Sequence, residues 1–311
     1  QQAGMQHYRT DLAREARDLA GGRQSGVEQA REQRDGMTIE RIEITTDAAA
    51  RRLDKPKGRY VTIDTDEIPA HDPALFAAVT EQIAGELQAL LGALPAEADV
   101  LVVGLGNRFV TPDALGPETV DRIYVTRHFR TDAPELAPAG LRAVSAMAPG
   151  VLGTTGIETG EIVRGLVSCA RPAAVICVDA LAARSTGRIN RTVQLSDGGI
   201  SPGSGIGNRR DALSRETLGV PVVAVGVPMV VYASTIAADA VGLIAARASL
   251  PDGEEALRQL ADEVVREHFG PLIVTPKEID ALIGDTAEML ADGINRMLQR
   301  ECFAELKALF G

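Results

Sequence analysis

Three short runs of almost uninterrupted apolar residues limit what this chain can become. They are 99–107 (DVLVVGLGN), 173–179 (AAVICVD) and 220–226 (VPVVAVG). Each is too short for a core helix, and each runs into glycine or aspartate at its end. A strand apolar at every position must be covered on both faces, which is the habit of interior strands in a parallel sheet. Between the runs lie segments with helical spacing, chiefly 157–169 and 233–248. Alternating strand and helix predicts an α/β fold with a doubly wound, mostly parallel sheet.

The flanking segments read less plainly. Residues 1–36 are polar and charged, with a weak helical pattern over 11–20, and read as an arm or pro-segment outside the core. Residues 38–46 (TIERIEITT) read as a half-buried strand with Ile42 and Ile44 on one face, and 59–64 (RYVTID) as a second. The stretch 72–94 carries Leu75, Val79, Ile83, Leu87, Leu90 and Leu91 at helical spacing. Residues 254–310 read as helical and are expected to cover one end of the sheet. There Thr275-Pro276-Lys277-Glu278 has the form of a capped helix start, with Thr275 as the cap.

With 311 residues, 45% of them apolar, the chain can build a substantial core. Aromatic residues are only 3% and Trp is absent, so that core is aliphatic. The net charge of −11 argues against direct nucleic-acid binding. Cys169, Cys177 and Cys302 have neither the number nor the spacing of a disulfide framework or zinc site, and Cys169 and Cys177 read as small core residues. No run approaches the length of a membrane span, and no apolar signal segment is visible, so a cytoplasmic location is expected. The first residue is Gln, which suggests a start that is missing or trimmed.

In open parallel sheets, ligands bind beyond the carboxyl ends of the strands. Asp113 and Asp179 fall there. Asp179 closes an apolar strand, where a carboxylate is costly unless paired or functional. Asp113 follows Thr111-Pro112, so a helix start with Thr111 as cap explains it equally well. Two carboxyls near one cleft can divide acid and base roles. Asp197 is a third acid candidate, beside the glycine-rich loop 198–207 (GGISPGSGIG) with Ser201 and Ser204, which suits either an anion nest or a surface loop. Among the histidines only His128 lies near the expected cleft. Arg127 and Arg184 are possible partners of the two aspartates or of a substrate carboxylate, with surface ion pairing as the plainer alternative. Gly104-Leu105-Gly106 lacks the third glycine of a dinucleotide loop, because position 109 is Phe, and no serine elbow is present.

Several segments together resemble the germination protease family of spore-forming bacteria. They are 9–16 (RTDLAREA), 57–64 (KGRYVTID), 101–117 (LVVGLGN through VTPDALGP), 125–128 (VTRH), 148–159 (APGVLGTTGIET, ending at Glu158 and Thr159), 178–185 (VDALAARS), 194–208 (QLSDGGISPGSGIGN), 216–228 (ETLGVPVVAVGVP) and 274–280 (VTPKEID). They run in order over nearly the whole chain.

The resemblance implies a three-layer α/β fold like that of hydrogenase-maturation proteases. It also implies an atypical aspartic-type endopeptidase that starts the degradation of small acid-soluble spore proteins in the spore core. The family's two aspartates fall on Asp113 and Asp179, with Asp197, His128, Arg127, Arg184 and Glu158 as possible supporting residues. It implies a homotetrameric zymogen that cuts itself at Asp11–Leu12. Residues 1–11 would then be a propeptide, 12–98 N-terminal strands and helix on the core, 99–250 the catalytic core and 251–311 a helical region. With residues 1–11 present, the chain would be the zymogen form. No cofactor, metal, membrane or direct nucleic-acid contact is implied. Two departures stand out: a short 248–265 region where family members carry an insertion, and Ser201 where some relatives have His. A metal-dependent maturation-type endopeptidase and a non-enzymatic Rossmann-like nucleotide-binding module are the competing readings.

Overall fold

A computed structural model describes residues 10–21, 25–202, 212–248 and 254–310. The elements in chain order are α1 (Ala13–Leu19), β1 (Val27–Arg34), β2 (Met37–Ile44), α2 (Asp47–Leu53), β3 (Gly58–Thr65), α3 (Pro73–Leu91), β4 (Val100–Gly104), α4 (Leu115–Val120), α5 (Phe129–Asp132) and β5 (Val144–Met147). There follow α6 (Leu152–Thr155), α7 (Thr159–Ala170), β6 (Ala174–Ala183), β7 (Thr192–Ser196), α8 (Arg215–Leu218), β8 (Val222–Tyr232), α9 (Ala233–Arg247), α10 (Glu254–Phe269), β9 (Ile273–Val274), α11 (Ile279–Leu298) and α12 (Phe303–Phe310).

One mixed sheet organises them, in the order β1-β2-β3-β7-β8-β6-β4-β5, with β9 added to β8. β8, β6, β4 and β5 are parallel to one another, and these include the three apolar runs of the sequence. The β1–β2–β3–β7–β8 half and the β9 pairing are antiparallel. The expected α/β layering is therefore present, with the parallel character concentrated in the four strands that carry the candidate site.

Alternation along the strands separates two apolar layers. On one face Val100, Val102, Ile176, Val178, Val223 and Val225 pack with Leu87 of α3 and Leu290 of α11. On the other, Leu101, Val103, Val175 and Cys177 meet Val163 and Val167 of α7. Beside them on that face Ile42, Ile44 and Tyr60 meet Ala13, Ala49 and Leu53. α11 thus covers a face of the sheet and not one end. It begins at Ile279 after Glu278 and without a side-chain cap, so Thr275 lies too far upstream to cap it and instead donates to the Met229 carbonyl at 2.9 Å.

The segment after residue 11 is not an arm outside the core. Leu12 and Ala13 are fully buried, and residues 27–34 form a full sheet strand. β1 is an edge strand with exposed side chains, so its ladder is made by backbone alone and no apolar pattern marks it. α1 is fixed by charge: Arg14 pairs with Glu40 and Asp64, and Arg17 with Glu40. Arg188 joins the network through Asp64 at 2.8 Å and Glu15 at 3.1 Å. Cys169 is exposed, at the solvent face of α7, while Cys177 and Cys302 are buried. Among the described residues no helix is long and apolar enough to cross a membrane.

Candidate active site

The loop after β4 brings Asp113 to β6, and glycine makes this possible. A Cβ on Gly116 would lie 2.2 Å from the Leu105 carbonyl oxygen and 2.6 Å from that of Val178. The Leu105 N–H donates to that same Val178 carbonyl at 2.8 Å, so the loop is bonded to the strand one residue before Asp179. Gly106 sits at φ +106, open to glycine, with its α-carbon pressed toward the Asp113 carbonyl. The glycines that hinted at a dinucleotide loop, Gly104 and Gly106, thus let the chain after β4 lie close to Gly116 and Asp113.

Asp113 ends a short 3₁₀ turn (Thr111–Asp113) whose start has no side-chain cap, so Thr111 does not cap a helix there. Its Oδ2 accepts the Asn107 N–H at 2.7 Å. Burial pushes its pKa up, and the Asn107 N–H partly opposes this.

Asp179 lies inside β6, not beyond its end. The strand runs on to Ala183 because β8 pairs with it as far as Val231. Its Oδ1 accepts its neighbour's Ala180 N–H at 2.9 Å. Burial holds its pKa well above the usual carboxylate range. The negative charges of Asp113 and Asp11 add to this, and the Ala180 N–H opposes it. The Asp113 and Asp11 carboxylates therefore lie near enough to Asp179 to act on its charge.

Asp11 joins them by extending the sheet. β4 stops pairing with β6 at Val178, which leaves the last residues of β6 an open edge. Asp11 occupies it: its N–H donates to the Ala182 carbonyl at 3.0 Å, and its Oδ2 accepts the Ala182 N–H at 2.7 Å. Leu12 then drops into a pocket of Leu181, Ala183 and Val231, flanked by Ile189 and Ile236. The Asp11–Leu12 peptide is thus fixed on both sides along the last residues of β6.

The sheet register adds residues that sequence reading passed over. Glu40 pairs with Thr62, Thr62 with Gln194, Gln194 with Gly226, and Gly226 with Asp179. Residues paired directly across a sheet point to the same face, so this is one polar row on the α1 side. Gln194 is buried. Its Oε1 accepts the Ala13 N–H at 2.7 Å and its Nε2 donates to the Asp11 carbonyl at 3.0 Å. The one available clue was a polar residue inside the apolar strand RTVQL; its partners, 181 and 183 residues away, were invisible.

The other candidate residues are engaged elsewhere. Arg184 makes two bonds of 2.6 Å to Asp239, and its backbone N–H donates to Glu15 at 2.7 Å. Arg127 pairs with Asp99 at 3.4 Å, and exposed His128 stacks on Phe129. Asp197 accepts the Arg59 backbone N–H and pairs with its guanidinium, each at 2.7 Å. Glu158 precedes α7 without a side-chain cap bond. Of the glycine-rich loop, Ser204 and most of the glycines lie outside the described residues, as do residues 1–9. Among the described residues no group of three or more His, Cys, Asp or Glu side chains is placed to hold a metal ion.

A mixed α/β sheet flanked by helices, with the half-buried Asp113 and Asp179 near its parallel strands, defines the class: an α/β protein with two carboxyls at one place in the sheet. The comparisons then place it. The family model described as germination protease matches residues 8–248 and 243–310, and the chain belongs to that family. It is 40% identical to the germination protease of Clostridium acetobutylicum over 314 residues, covering 95% of this chain and 96% of the relative. It is 43% identical to that of Caldanaerobacter subterraneus subsp. tengcongensis over 305 residues, covering 94% of each. The match to the Bacillus velezensis germination protease, at 40% over 97% of this chain and 96% of the relative, extends over 355 positions. This chain has 311 residues, so it lacks positions that the Bacillus protein has. The clostridial alignment shows that a shorter form is shared within the family.

Proposed function

We propose that this protein is an endopeptidase of small acid-soluble spore proteins in the spore core, acting as a homotetramer and made as a zymogen that removes its own residues 1–11. Family membership supports a germination protease. The observation that carries the mechanism is the Asp113–Asp179 pair beside a docked Asp11–Leu12 peptide.

Asp179 feels burial and two like charges, so it is the member that holds a proton. Asp113, with the Asn107 N–H on its carboxylate, is the ionised member and acts as base. A water gives its proton to Asp113 and attacks the Asp11 carbonyl carbon. The carbon–nitrogen bond then breaks as Asp179 protonates the Leu12 nitrogen. The pair works with one proton between its members. Activity therefore falls at low pH, when Asp113 is protonated, and at high pH, when Asp179 loses its proton.

The test uses Asp113→Asn and Asp179→Asn, with cleavage of a spore-protein peptide and conversion of the full chain both followed. Each variant is expected to lose activity by at least about 10²-fold. Full activity in either one sinks the assignment.

A further inference from the structure

We infer that Gln194 is the oxyanion-stabilising residue at the self-processing bond, an inference that rests on the Asp11–Leu12 reading above. The carboxamide spans the bond: Oε1 takes the Ala13 N–H at 2.7 Å and Nε2 gives a hydrogen bond to the Asp11 carbonyl at 3.0 Å. The orientation of the amide is fixed by chemistry. A backbone N–H can only donate and a carbonyl can only accept, so the oxygen must face Ala13 and the NH₂ must face Asp11.

The register supplies the rest of the geometry. Gln194 and Asp179 flank Gly226 in one row and point to the same face. With strands about 4.8 Å apart, their α-carbons stand roughly 10 Å from each other. The carbonyl is thus held from the β7 side while the acid pair stands on the β6 side. When water adds to the carbonyl carbon, the π electrons move onto the Asp11 oxygen, which Gln194 already contacts. The oxyanion collapses as the bond to the Leu12 nitrogen breaks and Asp179 delivers its proton. Gln194 itself neither gains nor loses a proton. Being buried, its donor acts with little competition from water.

The experiment follows self-conversion of the full chain by intact mass, in Gln194→Met and Gln194→Glu. The first matches the volume and removes the donor. The second keeps an oxygen for the Ala13 N–H, so it retains the docked pose if the first fails to fold. Hydrogen exchange at the Ala13 amide reports that pose. The expected result is conversion slowed by about 10²–10³-fold, as for loss of one oxyanion donor, with Ala13 protection kept in Gln194→Glu. Conversion within about threefold of the parent in either folded variant overturns the inference. So does loss of Ala13 protection in Gln194→Glu in step with the rate, which marks a positioning role alone. Failure of the underlying reading looks different: the parent chain is cut at another bond, or Asp179→Asn converts normally.

Discussion

Shortening Leu12 to alanine tests whether the segment around the candidate scissile bond is built into the core. Leu12 is fully buried against Leu181, Ala183 and Val231. Leu12→Ala removes the equivalent of three carbons. At about 0.8 kcal/mol per buried CH₂, the transfer loss is about 2.4 kcal/mol. A cavity cost adds to this, because the pocket walls cannot close. Ala183 is paired in register with Val231, and β6 is held to β8 along its length. The sum, about 3–4 kcal/mol, lies inside the range for buried Leu→Ala changes. Urea unfolding of the full chain measures it as a lower midpoint at unchanged slope. Exchange of the Asp11 amide, bonded to the Ala182 carbonyl at 3.0 Å, is expected to speed up in parallel. A loss under about 1 kcal/mol with unchanged Asp11 exchange would refute the docking argument.

Gly116→Ala forces a Cβ to within 2.6 Å of the Val178 carbonyl, so it is expected to lower the melting temperature and reduce peptide cleavage; a fully active, equally stable variant contradicts the close-approach argument. Glu40→Ala removes the buried carboxylate that Arg14 and Arg17 share and is expected to cost about 3 kcal/mol in denaturant unfolding. For Asp179, the folded chain binds the proton more tightly than the unfolded chain does. The stability this confers is complete below the ordinary carboxylate pKa of about 4 and is lost as pH rises through the higher folded value. Asp179→Asn is therefore expected to gain in melting temperature over the parent as pH rises through that window; a constant difference refutes the raised proton affinity. Asp197→Asn is expected to keep cleavage within about twofold, since its carboxylate serves Arg59 at the far side of β3.

The parallel strands were legible because burial on both faces leaves a continuous apolar run. Asp179 was conspicuous for the same reason, as a charge following such a run, but its place inside the strand was not. That depends on how far β8 continues beside it. β1 could not be read, since the side chains of VEQAREQR are mostly exposed and leave no apolar alternation to mark a strand. Gln194 and Thr62 escaped notice because their role is set by a register across strands distant in sequence. Asp197, next to a glycine-rich loop, looked catalytic by proximity, yet Arg59 claims it. The docked Leu12 was hidden by its polar neighbours, which turn out to be an ion-pair network on Glu40, Asp64 and Arg188.

The contacts that seat Asp11 and Leu12 carry a consequence for timing. They join residues 11–13 to residues 182 and 194, separations of 171 to 183 residues along the chain. Such pairings close the longest loops and form only after local structure is in place. Residues 11–13 therefore reach this seat only when β6, β7 and β8 already lie side by side. On the proposed reading, a chain with an incomplete sheet has no docked bond to cut. Under the proposed self-processing, conversion would report that β6, β7 and β8 are assembled.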